Sequence, residues 1–255
     1  MPFDLVTIPC LSDNYAFLLR DQDSGAVALI DVPEAAPISA KLSELGWTLT
    51  DIWLTHHHDD HIQGVPDLTT NHPARIYGAK ADAHRLPTLD HALVEGEAFK
   101  FGEHDVQILD VSGHTLGHIA FYVPAAKTVF TADSLMALGC GRLFEGNAAQ
   151  MWASMQKLMK LPAETTVCSG HEYTQSNAKF ALTVDPKNDA LISRSREIDQ
   201  ARSNNEPTVP STLSLELQTN PFLRPADPGI RAQLGMENAT DTDVFAEIRA
   251  RKDSF

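Results

Sequence analysis

An α/β architecture closed by a smaller helical region is what this sequence predicts, on three observations. Short β-rich runs alternate with turn formers through most of the chain. Two stretches, Ala35–Leu45 and Ala148–Leu161, carry apolar residues at helical spacing. After about His171 the strand signals fade, and charged segments punctuated by proline take over. With 255 residues, 43% of them hydrophobic and 21% charged, the composition is that of an ordinary soluble globular protein. That length suits one large α/β domain, or a domain of about 170 residues with a smaller one beside it.

Taken in order, Phe3–Ile8, Ala16–Leu19 and Ala26–Asp31 are β-rich runs separated by Ser12-Asp13-Asn14 and Asp21-Gln22-Asp23-Ser24-Gly25. They predict an antiparallel start to a sheet. Ile38, Leu42 and Leu45 recur at helical spacing and Gly46 supplies the stop. Asp51–Thr55 reads as a buried strand, followed by strand candidates at Arg75–Tyr77, Val106–Val111, Ile119–Val123, Thr128–Thr131 and Thr166–Cys168. In Ala148–Leu161 the side formed by Met151, Trp152, Met155, Leu158 and Met159 suits core packing better than a cofactor box. Lys187–Ser203 and Asp241–Lys252 predict helices, with Pro207, Pro210, Pro221, Pro225 and Pro228 in the loops between. Thr240-x-x-Asp243 reads as a capping box opening the last helix.

The formal charge of −14 argues against nucleic acid as a partner, because phosphates need a basic surface. An anionic ligand would need a local basic patch. Cys10, Cys140 and Cys168 show no CxxC spacing and are odd in number, so disulfides are not expected and a reducing compartment fits. No run approaches the ~18 apolar residues of a membrane span. Met1-Pro2-Phe3-Asp4 shows neither the basic nor the apolar segment of a signal peptide, which makes the cytoplasm the expectation.

The chemistry is concentrated in Thr55–His61, where seven residues hold four histidines and two aspartates directly after Ile52-Trp53-Leu54. Histidine is the commonest transition-metal ligand and aspartate a frequent oxygen partner. The run follows a strand, and open α/β sheets place ligand sites at strand carboxyl ends. Three further strand ends carry a potential ligand beside a tight turn. They are His114 in Ser112–His118, Asp133 after Thr128–Ala132, and His171 after Thr166–Cys168. His56, His58, Asp60, His61, His114, Asp133 and His171 together exceed what one tetrahedral zinc can use, so two adjacent metals are the economical reading. Asp133, alone on its strand, suits a bridging carboxylate. The absence of cysteine from the set argues against a purely structural zinc site. His57 should point away from its neighbours, and His118 could back a ligand. His72, His84, His91 and His104 lie in polar surroundings and are not expected to bind metal. Asp31, ending its strand, reads equally as a group behind a ligand or as an ordinary turn aspartate.

With these residues in view, His56-x-His58-x-Asp60-His61 followed by His114, Asp133 and His171 resembles the metallo-β-lactamase superfamily. Within it the chain is similar, over essentially its whole length, to the glyoxalase II (hydroxyacylglutathione hydrolase) family. Asp13-Asn14-Tyr15, Cys140-Gly141-Arg142, Gly170-His171-Glu172-Tyr173-Thr174, Lys179-Phe180-Ala181, Thr219-Asn220-Pro221-Phe222 and Arg249-x-x-Lys252-Asp253 carry the narrower likeness. The resemblance implies a four-layer αββα sandwich over 1–172 as the metal-binding catalytic domain. It implies a helical substrate-binding domain over 173–255. His56, His58 and His114 would hold one divalent metal and Asp60, His61 and His171 the other, with Asp133 bridging; zinc is the first expectation, iron or manganese the others. Asp60 and Asp133 would thereby be the catalytic carboxylates.

The implied reaction is hydrolysis of S-D-lactoylglutathione, and of other 2-hydroxyacylglutathiones, to D-lactate and glutathione, the second step of methylglyoxal detoxification. The implied glutathione contacts are Arg142, Phe144, Tyr173, Arg249 and Lys252. Arg142 and Phe144 depart from the lysine and tyrosine of better-known members. Arg142 keeps the charge and adds a bidentate fork, whereas Phe144 forgoes a hydroxyl worth about 1 kcal/mol. In such a site two cations lower the pKa of a shared water toward neutrality, and the resulting hydroxide attacks the thioester carbonyl. A thiol with a pKa near ~8.5 leaves as thiolate without a strong general acid. A monomer is expected. The rivals are a mono-iron glutathione persulfide dioxygenase of the same superfamily, a β-lactamase or lactonase, and a non-catalytic metal-binding protein. The complete second ligand set and the helical tail count against the dioxygenase.

Overall fold

The computed structural model describes residues 3–255. Met1 and Pro2, part of the N-terminal stretch read above as lacking a leader, lie outside the described residues. Two compact units are present: the described residues up to Asp110 with Leu116–Ala132, and Val111–Thr115 with Asp133–Phe255.

The first unit opens with β1 (Phe3–Cys10), β2 (Asn14–Asp21) and β3 (Val27–Ile30), paired antiparallel as the turn formers between them require. Helix α1 (Ala35–Leu45) then crosses over to β4 (Asp51–Trp53), which lies parallel to β3. A single turn, α2 (Asp59–Ile62), and α3 (Val65–Asn71) lead to β5 (Arg75–Ala79) and β6 (His91–Leu93), both parallel additions to the sheet. A second, antiparallel run follows: β7 (Ala98–Phe101), β8 (His104–Asp110), β9 (Ile119–Val123) and β10 (Thr128–Ala132). β6 and β7 were not legible in the sequence, being short and partly polar.

Strand periodicity explains the layering, since neighbouring side chains leave opposite faces of a sheet. Ala16, Leu18, Leu29 and Ile52 pack with Ile38 and Leu42 of α1 and with Val65 and Leu68 of α3. Trp53, one residue past Ile52, points the other way and meets the antiparallel strands. Its ring stacks on Phe121 at 5.4 Å and meets Phe99 and Phe101 edge-on at 5.4 and 5.2 Å. The first unit therefore supplies a helix–sheet–sheet part of the expected sandwich.

The second unit comprises β11 (Leu135–Met136), β12 (Gly139–Cys140), α4 (Ala148–Leu158), β13 (Thr166–Ser169), α5 (Thr174–Val184), α6 (Asp189–Ser203), β14 (Ser211–Thr212), α7 (Leu213–Thr219), α8 (Pro228–Leu234) and α9 (Asp241–Ser254). α4 is opened by a reciprocal cap between Asn147 and Gln150. At α9 the Thr240 hydroxyl accepts from Asp243 N–H at 3.2 Å and donates to the Asp243 carboxylate at 2.7 Å, so the cap closes through the hydroxyl. Trp152, Phe245, Phe222 and Phe180 form a chain of rings 5.7–6.1 Å apart that joins α4, α5 and α9.

A buried polar network bolts the β11–β12 hairpin to the helices. Glu216, fully buried, accepts from Arg194 Nη2 at 2.5 Å, Leu138 N–H at 2.8 Å and Asn220 Nδ2 at 3.1 Å. Asn220 also donates to the Met136 and Gly139 carbonyls, and Asn177 donates to that of Ala137. All three cysteines are buried and free of disulfides, as their spacing implied. Burial pushes the thiols up, Cys10 to about 12 and Cys140 to about 11, so both stay protonated at neutral pH. No helix among the described residues is long and apolar enough to cross a membrane.

Candidate metal centre

In the first unit, parallel pairing sets the carboxyl ends of β3 and β4 side by side, with Ile30 opposite Trp53. Asp31 is the residue just past β3, held at φ +58°. Its carboxylate accepts from Thr55 N–H at 2.9 Å, from the Thr55 hydroxyl at 2.8 Å and from His61 Nδ1 at 2.8 Å. Asp31 is thus tied to the histidine-rich stretch by three hydrogen bonds, two to Thr55 and one to His61. Because a carboxylate only accepts, His61 carries its proton on Nδ1 and, when neutral, offers its Nε2 lone pair. The Thr55 hydroxyl spends its one proton on Asp31 and so accepts from His56 Nδ1, 3.0 Å away. One buried carboxylate thus sets the tautomer of two histidines.

The direction of the remaining side chains follows from local backbone. His58 is extended at φ −63°, ψ 142°, and its Nδ1 lies 3.2 Å from His56 Nε2. Asp60 and His61 sit on the α2 turn, with Asp60 Oδ2 3.8 Å from His61 Nε2. Asn14, at the start of β2, donates to both the carbonyl and the carboxylate of Asp60, at 3.1 and 3.0 Å. That contact was not read from the sequence; the Asp13-Asn14-Tyr15 motif was its only signal. His57 turns to Asp82, its Nδ1 3.0 Å from Oδ2, but its ring stays 5.0 Å from that of His58 rather than pointing clear of it, and His118 lies flat against His56 with ring centroids 4.6 Å apart.

In the second unit, Asp133 stands between two histidines. Its Oδ2 is 3.5 Å from His114 Nε2 and 3.3 Å from His171 Nε2. His114 Nδ1 donates to the Arg142 carbonyl at 2.7 Å, which leaves the Nε2 of the neutral ring as a lone-pair nitrogen. With a neutral ring, that nitrogen and the Asp133 oxygen face each other as two acceptors, an arrangement that a metal cation or a second proton on the ring would relieve. Gly141 makes the arrangement possible: a Cβ there would lie 1.9 Å from the Asp133 carbonyl oxygen. Each unit therefore presents nitrogen and oxygen donors free of thiolate, most of them buried and the Asp60 side chain 41% exposed, which suits divalent metal in a catalytic rather than a purely structural site.

The residues read as substrate contacts also fall in the second unit. Phe144, 61% exposed, meets the His114 ring edge-on at 5.2 Å, and Tyr173, 39% exposed, stacks on His171 at 4.7 Å. Arg142 reaches Asp253 through Nε at 3.3 Å. Arg249 differs from a solvent-flanking cation: it is buried, donates to the Cys140 carbonyl at 2.6 Å and to Asp253 at 3.0 Å, and lies over the Phe222 ring. Its neighbours on α9, Val244, Phe245 and Ile248, draw that face inside. Lys252 sits against Phe180 and Phe255 with its amine 3.2 Å from the Ser176 hydroxyl. Burial, with Arg249 beside it, holds the Lys252 amine down at about 8.

Of the other histidines, His91 stacks on Tyr77, and His104 comes within 4.8 Å of Asp21 and Asp23 ligand-type atoms. Asp21 is already satisfied there by the Ser24 hydroxyl and by Asp23 N–H.

Comparison with known proteins gives the class first. Residues 12–171 match the metallo-β-lactamase superfamily, and residues 172–255 match the hydroxyacylglutathione hydrolase C-terminus. A hydroxyacylglutathione hydrolase of Ruegeria pomeroyi is 63% identical over 255 residues, covering 100% of both chains. One of Roseobacter denitrificans is likewise 63% identical over the full length of both. The crystal structure of the BLEG-1 B3 metallo-β-lactamase shares the fold at a TM-score of 0.67 and 21% identity, covering 87% of this chain and all of that one. The chain belongs to the hydroxyacylglutathione hydrolase family, hydrolases of the metallo-β-lactamase superfamily.

Proposed function

We propose that this chain hydrolyses the thioester of S-D-lactoylglutathione and related 2-hydroxyacylglutathiones, releasing D-lactate and glutathione as the second step of methylglyoxal detoxification. In this reading His56, His58 and His114 would hold one divalent cation and Asp60, His61 and His171 the other, with Asp133 available to both. Zinc is the first choice, with iron or manganese accommodated by the same nitrogen and oxygen donors. When bound, the pair supplies an activated water and a Lewis acid for the developing oxyanion. The observation that carries the reading is Asp133, whose Oδ2 lies 3.5 and 3.3 Å from two histidine Nε2 atoms, one of them deprived of its proton by a backbone carbonyl.

The protein's own residues do the rest by orientation. Asp31 and Thr55 present the His56 and His61 lone pairs, Asn14 holds Asp60, and the Arg142 carbonyl holds His114. Residues 1–172 form the catalytic domain in this reading, and 173–255 the substrate-binding one. Tyr173 and Phe144 offer exposed aromatic faces beside His171 and His114 for the tripeptide. Arg142 and Lys252 face its carboxylates, and Arg249 supports them from within, through Asp253 and the Cys140 carbonyl. The enzyme works as a cytoplasmic monomer.

The test is a coupled assay of S-D-lactoylglutathione hydrolysis run beside elemental analysis. Turnover with two metals per chain is expected, and its absence from the fully loaded protein would sink the assignment. Asp133→Ala should lose both activity and the metal pair; two tightly held metals in that variant would refute the bridging role. Oxygen uptake with glutathione persulfide, in place of thioester hydrolysis, would move the chain to the dioxygenase class.

A further inference from the structure

We propose that Asp82 and Arg85, acting through His57, are positioning residues that hold His56 and His58 in their ligating orientation before any metal arrives. The proposal rests on the metal-ligand reading above and extends it to residues outside the seven ligands. Residues 54–58 run on from β4 without regular secondary structure, and their three consecutive rings touch in series, His57 on His58 with centroids 5.0 Å apart and His58 on His56 at 4.8 Å. Fixing the His57 ring therefore limits how far the His58 ring, and through it that of His56, can turn.

His57 is fixed at both ring nitrogens. Its Nδ1 lies 3.0 Å from Asp82 Oδ2 and its Nε2 lies 3.1 Å from Arg85 Nη1. A guanidinium only donates, so Nε2 must be the lone-pair nitrogen and Nδ1–H the donor to Asp82. The other Asp82 oxygen takes Arg85 Nε at 3.2 Å and Nη2 at 2.5 Å. Asp82 is 2% exposed and ends the single turn Lys80–Asp82 that directly follows β5, the parallel neighbour of β4. The anchor and the ligand run therefore hang from adjacent strands of one sheet.

The chain at Gly117 closes over the same carboxylate: a Cβ there would lie 2.1 Å from Asp82 Cγ. The next residue is His118, whose ring presses flat on His56 at 4.6 Å. Asp82 thus sets one histidine by hydrogen bond and, through the room it leaves for Gly117, the packing on another. A buried carboxylate is costly unless paired and hydrogen-bonded.

Asp82→Asn removes one acceptor from a site that needs two, because a single amide oxygen must serve either His57 or Arg85. The expected result is a rise of roughly tenfold to a hundredfold in the Zn²⁺ dissociation constant of the metal-stripped protein, measured against a chromophoric chelator. The visible bands of the Co²⁺-loaded variant should change with it, since they report the ligand geometry. Arg85→Gln, at a partly exposed side chain, should act in the same direction and serves if Asp82→Asn fails to fold. A role confined to structure would lower the urea midpoint of the stripped protein and leave both readouts at wild-type values. That outcome in a folded variant overturns the brace. Wild-type protein that takes up no metal overturns the ligand reading and the brace with it.

Discussion

Replacing Asp31 by asparagine should disarm two of the proposed metal ligands with one amide, without disturbing the backbone. Asparagine tolerates the φ of +58° observed at this position, so the turn itself survives. The amide nitrogen then has two places to go. In the Oδ1 position it meets Thr55 N–H donor against donor, 2.9 Å away in the parent. In the Oδ2 position it donates to the Thr55 hydroxyl but confronts His61 Nδ1, 2.8 Å away. The second choice is the better one only if His61 moves its proton to Nε2. The Thr55 hydroxyl, now an acceptor, turns its own proton on His56 Nδ1, which sends that ring's proton to Nε2 as well. Both Nε2 lone pairs are lost. Leaving a buried donor unsatisfied costs about 1–3 kcal/mol, and loss of an outer partner typically weakens metal binding about 10–100-fold. Titration of metal-stripped protein with Zn²⁺ against a chromophoric chelator measures the effect, with urea unfolding run alongside. An Asp31→Asn protein that folds normally and binds Zn²⁺ as tightly as wild type would refute the relay.

Lys252, with its amine held at about 8, should lose charge as pH rises through that value. The KM for a glutathione thioester should climb between pH 7 and 9 while kcat stays level, and Lys252→Met should start high and lie flat; a level wild-type KM removes Lys252 from the substrate contacts. Glu216→Ala strands buried Arg194 and frees the Leu138 N–H, so it should cost about 3–5 kcal/mol in urea unfolding; a loss under about 1 kcal/mol would mean the pair contributes little. Chelation should abolish hydrolysis, and re-added metal at about 100 times its dissociation constant should restore it with about 2.7 kcal/mol of added stability; a melting temperature indifferent to metal would contradict the centre.

What the sequence made legible was local. β-rich runs, the stop at Gly46 and the density of histidine and aspartate in Thr55–His61 are all patterns within a few residues, and the structure keeps the strands and the Gly46 stop. What it concealed was partnership across distance. Asp31 meets Thr55 and His61 from 24 and 30 residues away, and His57 finds Asp82 and Arg85 at separations of 25 and 28. No periodicity announces such contacts. Helix α5 went unread because its buried face is largely small or polar, with Thr174, Asn177, Ala178 and Ala181 beside Phe180 and Val184. Arg249 read as a cation at the edge of an apolar stripe, but a stripe cannot tell an exposed guanidinium from one turned inward onto Phe222 and the Cys140 carbonyl.

The same physics explains why the chemistry resists reading from ligands alone. A histidine binds metal only through a nitrogen without a proton, and which nitrogen that is depends on the partner of the other one. His56, His61 and His114 each have that partner supplied: a threonine hydroxyl, a buried carboxylate and a backbone carbonyl. Each arrangement removes a choice the ring would otherwise keep. The result is lone pairs aimed at carboxylate oxygens, 3.5 Å apart for His114 and Asp133 and 3.8 Å for His61 and Asp60. Two acceptors held that close repel unless a positive charge lies between them. A bound cation would relieve that repulsion, so if these residues hold metal as proposed, the affinity depends on the groups behind the histidines as much as on the histidines themselves.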